Sequence, residues 1–282
     1  MSAFRTGPAT HHPPLMSLLI FSHANSFPAS VYRLMFKSLR ARGFTVKAVD
    51  KFGHHPAYAP TDNWPNLVQQ LVDFAEAETA KAGEPAYLVG HSLGGFLSLM
   101  AAARRPELAR AVLLLDSPLL GGWRATTLGA LKRTQLVGAV SPGAVSQRRR
   151  TSWPDADTAL AHFRTKKVFS RWQPEVLEDY AHRAMRAQDG QWVLDFDRDV
   201  ETAIYNTLPD NLDRLLARHP LKCPVAFIGG RHSLEMKQVG MAMTEKLTKG
   251  RITILDGSHL FPMENPIATA AAIEANLRSL TV

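Results

Sequence analysis

The sequence predicts an α/β fold in which a mostly parallel sheet carries helices on both faces. Short runs of Val, Ile and Leu alternate with amphipathic stretches, and a crossover between parallel strands usually contains such a helix. The length of 282 residues suits one large domain with an inserted lobe. Apolar residues make up 45% of the chain, which is enough for a sizeable buried core.

Six apolar runs are predicted to be the strands, and amphipathic stretches between them are predicted to be helices. The strands are Leu18–Ser22, Thr45–Asp50, Ala86–Val89, Ala111–Leu115, Val225–Ile228 and Ile252–Leu255. The helices are Pro28–Arg42, Asn66–Ala82, Leu93–Arg104 and Pro266–Leu280. Gly43 and Gly83 follow the first two helices, where a helix commonly ends.

Between residues 118 and 221 the alternation disappears, and the sheet is interrupted between its fourth and fifth strands. This stretch is helical in pattern and rich in aromatic residues, namely Trp123, Trp153, Phe163, Phe169, Trp172, Tyr180, Trp192, Phe196 and Tyr205. We interpret it as a helical cap, so that residues 15–117 and 222–282 form the core and residues 118–221 the cap. Most of its aromatic residues are expected to fill the cap's own core.

The composition limits which kinds of partner and which covalent cross-links the protein is expected to have. Lys and Arg outnumber Asp and Glu by 33 to 25, but this charge is spread along the chain. No zinc-finger, basic-region or RNA-binding motif accompanies it, so we expect no nucleic-acid partner. Arg148–Arg150 is interpreted as a solvated loop, with a membrane-binding cap as the rival hypothesis. The single cysteine, Cys223, excludes an intramolecular disulfide.

No apolar run approaches the roughly 18 residues that a membrane-spanning helix needs. The N-terminus is weak as a signal peptide, because its longest apolar run, Leu18–Phe21, is short. We therefore expect a cytoplasmic protein with no integral membrane segment. The sequence leaves its oligomeric state open.

The strongest chemical signal is Gly90-His91-Ser92-Leu93-Gly94, which fits the G-x-S-x-G nucleophile elbow. An apolar run precedes the motif and an apolar helix follows it, which is the context that a strand-to-helix elbow requires. The glycines allow close backbone approach around a strained serine whose hydroxyl is exposed. Ser92 is therefore the candidate nucleophile, and the backbone N–H of Leu93 is the first candidate donor to an oxyanion.

A serine nucleophile needs a base, and His259 is the candidate. It lies in the loop after the last predicted strand, beside the sheet edge where the elbow should sit. The second oxyanion donor is expected from the loop after the first strand, which spans Ser22–Pro28.

These motifs resemble the α/β-hydrolase superfamily, in the cap-bearing branch that includes many esterases, lipases and epoxide hydrolases. Gly90–Gly95 and Ser258–Glu264 carry the resemblance most specifically, and it extends from Leu18 to Leu280. The N-terminus is too short for the leading hairpin of such proteins, so the sheet is expected to lack its first one or two strands.

The resemblance implies an acid that orients His259, but the usual loop carries His232 where similar proteins have aspartate. Some relatives place the acid one strand earlier, and Asp116 stands there; Glu235 is the second candidate. In the oxyanion loop, His23-Ala24 replaces the common His-Gly, so Asn25 aligns as the second donor. A shifted alignment would make Phe27 the donor instead.

Among relatives of this fold, dehalogenases and epoxide hydrolases carry aspartate at the elbow, so Ser92 argues against both. The resemblance implies a serine esterase or lipase that acts on a small to medium apolar ester, with no cofactor and no metal. Carbon–carbon bond hydrolysis and cofactor-free haloperoxidase chemistry remain alternatives on the same residues. A non-catalytic binding protein is the remaining rival, because fold alone does not fix function.

Overall fold

Six parallel strands form the central sheet of the computed structural model, which describes residues 17–119 and 143–280. The strands are β1 (Ser17–Ser22), β2 (Phe44–Ala48), β3 (Ala86–His91), β4 (Ala109–Leu115), β8 (Val225–Gly230) and β9 (Ile252–Leu255). Their spatial order in the sheet is β2-β1-β3-β4-β8-β9. The predicted fold class is therefore confirmed.

Helices cover both faces of this sheet. Alternate residues of β1 face opposite layers, with Leu19 packed among residues of one apolar cluster and Ile20 among those of the other. Four helices supply the layers, namely α1 (Arg33–Ala41), α2 (Pro65–Ala82), α3 (Leu93–Arg104) and α12 (Pro266–Ser279). Helices α1 and α12 contribute to the first cluster, and α2 and α3 to the second.

The predicted first helix is divided in the structure. Ala29–Tyr32 forms a single turn of 3-10 helix, and α1 follows it directly. Within residues 17–119 and 143–280, the central sheet begins at β1 and all its pairings are parallel. None of the helices described is both long and apolar enough to cross a bilayer.

Between β4 and β8 the chain leaves the sheet, and residues 120–142 of the predicted cap, with Trp123, lie outside the described residues. The described part contains α4 (Gly143–Ser146), α5 (Ala156–Arg164), α6 (Pro174–Arg183), α7 (Arg198–Asn206) and α8 (Leu212–Arg218). After β8 come α9 (Leu234–Val239), α10 (Ala242–Thr248) and α11 (Phe261–Glu264).

This stretch is not purely helical, which corrects the sequence interpretation. Strands β5 (Ser152–Trp153), β6 (Met185–Gln188) and β7 (Gln191–Leu194) form a small antiparallel sheet in the order β5-β7-β6. Asp189 and Gly190 connect β6 to β7 with φ values of 50° and 72°. An Asp-Gly pair with positive φ at both positions favours a tight hairpin, because its twist matches that of the strands.

Candidate active site

The candidate site lies at the carboxyl ends of β1, β3, β4 and β8. Neighbouring parallel strands end at the same sheet edge, so Asn25, Ser92 and Asp116 follow strands that lie side by side. This edge is where open α/β sheets bind their ligands.

Ser92 occupies a strained turn between β3 and α3. Its φ of 52° and ψ of −116° lie outside the regions that a residue with a Cβ prefers. The Ser92 N–H donates to the Leu115 carbonyl at 3.0 Å, and the Ser117 hydroxyl donates to the Ser92 carbonyl at 2.9 Å. The end of β4 and the residues just after it thus hold Ser92 through both its N–H and its carbonyl.

The glycines of the motif are required by close backbone approach. A Cβ on Gly90 would lie 2.0 Å from the Gly94 carbonyl oxygen, and one on Gly94 would lie 2.0 Å from the Ser22 carbonyl oxygen. Any larger residue at either position would therefore push α3 away from the ends of β1 and β3.

His259 and Asp116 are brought together by the loops after β9 and β4. The Nδ1 of His259 lies 2.7 Å from Oδ2 of Asp116, within hydrogen-bonding distance. The Asp116 side chain is fully buried. It accepts further hydrogen bonds from the Gly230 N–H at 2.7 Å and from the Ser233 hydroxyl at 2.6 Å. These donors replace the water that a buried carboxylate has lost.

Glu235, the second candidate acid, is near the same imidazole but makes a weaker contact. Its Oε2 lies 3.7 Å from Nδ1 of His259, beyond hydrogen-bonding distance, and its side chain is 44% exposed. His232, at the usual acid position, is exposed and contacts Asp256 instead. Of the two candidates, only Asp116 has the distance and burial of an orienting acid.

Asp116, Glu235 and His259 form the group of carboxylate and imidazole side chains in the described ranges that is close enough to hold a metal ion. The ligand atoms lie within 4.8 Å of one another. However, Nδ1 of His259 is already bonded to Asp116, and Asp116 accepts two further donors. A hydrogen-bonded acid–imidazole pair therefore explains this cluster without an ion.

The charges around His259 favour its protonated form. Burial alone would lower the pKa of this imidazole, but the hydrogen bond with Asp116 and the charges of Glu235 and Asp116 outweigh it. The pKa of His259 is consequently raised above its ordinary value of 6.5. Such a residue can accept a proton during a reaction more readily than an isolated histidine.

The loop after β1 holds one peptide group in a fixed orientation. The Ala24 carbonyl accepts from Nδ1 of buried His23 at 2.8 Å and from the Phe27 N–H at 3.2 Å. Because the N–H of a trans peptide points opposite to its carbonyl, these bonds also fix the direction of the Asn25 N–H.

The same contacts distinguish the two candidate donors of this loop. The Phe27 N–H is used within the loop, whereas the Asn25 N–H has no hydrogen-bond partner among the residues described. The N–H of Leu93, the first residue of α3, likewise has no partner one turn earlier in its own helix. Asn25 and Leu93 therefore offer backbone donors, and Phe27 does not.

Three buried polar residues at this edge were missed by the sequence interpretation of the site. Tyr32 Oη lies 2.8 Å from Nδ1 of His91, and Nε2 of His91 lies 2.9 Å from the His259 carbonyl oxygen. Burial lowers the pKa of His91 to about 3 and that of His23 to about 4. The sequence signals were the position of His91 inside the elbow motif and that of His23 in the oxyanion loop, and neither indicated these contacts.

The segment between β4 and β8 contacts the loop after β1. The side-chain amide of Asn25 donates to the Glu201 carbonyl on α7 at 3.0 Å. Glu201 is buried and pairs with Arg149 at 3.0 Å. The rings of Phe27 and Trp172 lie 5.5 Å apart.

A cavity of about 1200 Å³ lies elsewhere, between α8, α10 and the start of β8. Its lining includes Leu216, Cys223, Pro224 and Met241. It opens at the amino end of β8, whereas Gly230 bonds Asp116 at the carboxyl end. We therefore do not assign it to the candidate site.

Known proteins provide an independent comparison. A monoglyceride lipase homolog of monkeypox virus is 26% identical over 132 residues, which is 45% of this chain and 47% of the relative. The chain thus aligns with about half of that relative's length. A putative non-heme haloperoxidase of Mycobacterium phage D29 is 23% identical over 93% of this chain and 88% of the relative.

A solved structure shares the whole architecture. The crystal structure of an E-2-(acetamidomethylene)succinate hydrolase superposes with a TM-score of 0.72 and 22% identity. The superposition covers 93% of this chain and 91% of that one. Residues 19–272 match the model of the alpha/beta hydrolase family. This protein therefore belongs to the α/β-hydrolase family.

Proposed function

We propose that this protein is a serine hydrolase that cleaves carboxylic esters through an acyl intermediate on Ser92. The observation that carries the proposal is the 2.7 Å contact between His259 and a fully buried Asp116. His259 follows Ser258 in the loop after β9, and its carbonyl bonds His91, the residue before Ser92. This backbone contact supports the proposed pairing of His259 with the strained serine.

In the proposed mechanism, Nδ1–H of His259 donates to Asp116, which leaves Nε2 free to accept the Ser92 proton. The serine oxygen then forms a bond to the ester carbonyl carbon, and the negative charge moves to the carbonyl oxygen. The N–H groups of Leu93 and Asn25 stabilise this oxyanion. Buried Asp116 stabilises the imidazolium that has formed.

Collapse of the tetrahedral intermediate breaks the ester C–O bond, and the imidazolium returns its proton to the leaving alcohol. A water molecule, deprotonated by Nε2 of His259, then attacks the acyl carbon. The second intermediate collapses to release the carboxylic acid, and His259 returns the proton to Ser92. Each step uses one base and one pair of donors.

We propose further that residues 118–221 form a cap over this site and that the acyl group is apolar. Phe27, in the loop that offers the Asn25 donor, packs against Trp172 and Tyr180, with ring centroids 5.5 and 5.8 Å away. Aromatic rings therefore pack against the loop that offers the proposed oxyanion donor, which favours an apolar acyl group over a charged one. The lipase name of one relative is consistent with ester substrates.

A second candidate is haloperoxidase chemistry. It is favoured by the name of the relative that matches 93% of this chain. Halide oxidation with peroxide and an organic acid would separate it from simple ester hydrolysis.

The decisive experiment combines a fluorophosphonate probe with p-nitrophenyl esters of increasing chain length. We expect Ser92→Ala to abolish labelling and to lower turnover by about a thousandfold or more, because it removes the nucleophile. Ser98→Ala, a matched change of a buried serine on α3, should retain both. Hydrolysis by folded Ser92→Ala at the wild-type rate would contradict the nucleophile assignment.

The same ester series tests the acyl preference. Each buried methylene contributes about 0.8 kcal/mol, so kcat/KM should rise about tenfold per two-carbon step until the pocket is full. A preference for acetate or for an anionic acyl group would contradict an apolar site. Because one relative's name refers to a succinate derivative, the series should include a succinate monoester.

A further inference from the structure

The imidazole of His91 links two loops that come from distant parts of the chain. It is fully buried between the sheet and the helices. Its Nδ1 contacts Tyr32 Oη at 2.8 Å, and its Nε2 contacts the His259 carbonyl at 2.9 Å. Tyr32 Oη also accepts the Ala24 N–H at 3.1 Å.

The directions of these bonds follow from their chemistry. A carbonyl can only accept, so Nε2 of His91 must carry the proton and donate it to His259. A neutral imidazole then has an unprotonated Nδ1, which accepts from the Tyr32 hydroxyl. Burial, together with the charge of His259, lowers the pKa of His91 to about 3. The ring therefore stays neutral at and around neutral pH.

We propose that Tyr32 and His91 are positioning residues that fix the oxyanion loop and the loop of His259 relative to Ser92. We call this pair the Tyr32–His91 bridge. The inference rests on the proposed serine hydrolase function, because it assigns the bridge a role in aligning that machinery.

The bridge acts on the backbone of both loops. At one end it holds the Ala24 N–H, while the Ala24 carbonyl is held by His23 and Phe27. The Asn25 donor is thereby fixed. At the other end it holds the carbonyl of His259, the residue that carries the base.

Stability alone is a poor explanation for a buried polar pair at this position. Replacing hydrogen-bonded groups by apolar groups of similar shape is often neutral or stabilising, because desolvation offsets the bonds. Alignment explains the pair better, since a displacement of about 1 Å at a reacting group can lower a rate by about 10²-fold.

The first test is Tyr32→Phe, which removes the hydroxyl and keeps the ring. We expect kcat and the fluorophosphonate labelling rate to fall about tenfold, with KM within about twofold, because alignment affects the chemical steps. Tyr87→Phe is the matched control. Its ring is buried at the other end of β3, and its hydroxyl contacts Arg110.

The second test separates the two bonds of the imidazole. In His91→Gln, the terminal amide nitrogen can take the place of Nε2 and still donate to His259. We expect this variant to retain most of the activity that His91→Leu loses. Equal activity of Tyr32→Phe and Tyr87→Phe at equal Tm, or of His91→Leu and wild type, would overturn the proposal.

The third test does not depend on activity. In protein labelled with ¹⁵N-histidine, His91 should show a protected Nε2–H and an unprotonated Nδ1 between about pH 5 and pH 8. Its signals are assigned by their loss in His91→Gln. An Nδ1–H tautomer, or titration in that range, would overturn the bridge. A wild-type protein inert to probe and esters would instead refute the proposed function.

Discussion

The loops after β4 and β8 leave neighbouring strands, yet they contribute to the site in different ways. The loop after β4 supplies a fully buried carboxylate, Asp116. Strand β8 and the segment after it supply two donors to that carboxylate, the Gly230 N–H at the end of β8 and the Ser233 hydroxyl. Helix α9, which follows, carries a half-exposed carboxylate, Glu235. The buried carboxylate of Asp116 therefore depends on hydrogen bonds from the neighbouring segment.

Among the substitutions in these two segments, Asp116→Asn is expected to have the largest effect on kcat. The amide favours the wrong tautomer of His259 and cannot balance its charge, so kcat should fall by about 10³- to 10⁴-fold. Steady-state kinetics on the preferred ester measures it. Asp179→Asn, which removes a buried carboxylate bonded to Arg33 and Arg183, should lower stability without a comparable loss of turnover.

A mild Asp116→Asn with a severe Glu235→Gln would reverse the assignment of the acid. The double variant adds a further test, since any activity that Glu235 supports in Asp116→Asn should then disappear. If neither single substitution changes kcat, His259 is oriented by another group.

An intermediate effect is expected from Ser233→Ala, which removes one donor to Asp116. A buried carboxylate that loses a hydrogen bond is destabilised, so we expect kcat to fall about tenfold. The hydroxyl also accepts the Met236 N–H at the start of α9, so unfolding should become about 1 kcal/mol easier. Ser233→Thr keeps the hydroxyl and should retain activity; equal losses in both variants would contradict a role for this donor.

The smallest effect is expected from Glu235→Gln and concerns pH rather than maximal rate. Activity requires unprotonated His259, so kcat/KM should fall as the pH drops through the raised pKa of that residue. Removing the Glu235 charge destabilises the imidazolium and lowers this pKa, so activity should extend to lower pH. The shift should shrink with added salt, because Glu235 is half-exposed.

Glu245→Gln on α10 is the matched control for the pH profile, since it makes the same charge change on another helix. An unchanged or raised kinetic pKa in Glu235→Gln would show that its charge does not reach His259. A large loss of plateau activity would indicate instead that Glu235 orients the base.

The parts of the fold that could be predicted are those encoded locally. Strand β3 and the glycines of the elbow could be recognised in the sequence. A buried strand and a tight turn each require particular residue types at neighbouring positions. The hairpin at Asp189-Gly190 carries a similarly local signal, but the helical pattern of the surrounding sequence suggested helices.

The candidate site was predictable only in part, because its contacts join distant positions. His259 is 143 positions from Asp116, and Ser233 is 117 positions from it. The choice of Asp116 therefore depended on the family resemblance. Nothing in the local sequence distinguishes Tyr32 from any other buried aromatic residue near the start of a helix.

Strand β4 pairs in parallel with β8, with Val112 opposite Val225 and Leu115 opposite Ile228. The chain therefore leaves the sheet at the carboxyl end of β4 and returns to it at the amino end of the neighbouring strand. The whole intervening segment is thus a crossover connection between two adjacent parallel strands. Because the strands on either side pair directly, we expect this connection to tolerate changes without a shift in the register of the sheet, provided that the contact of Asn25 with α7 is preserved. Under the proposed function, we expect changes in this segment to alter substrate preference while Ser92, Asp116 and His259 keep their places at the ends of the strands.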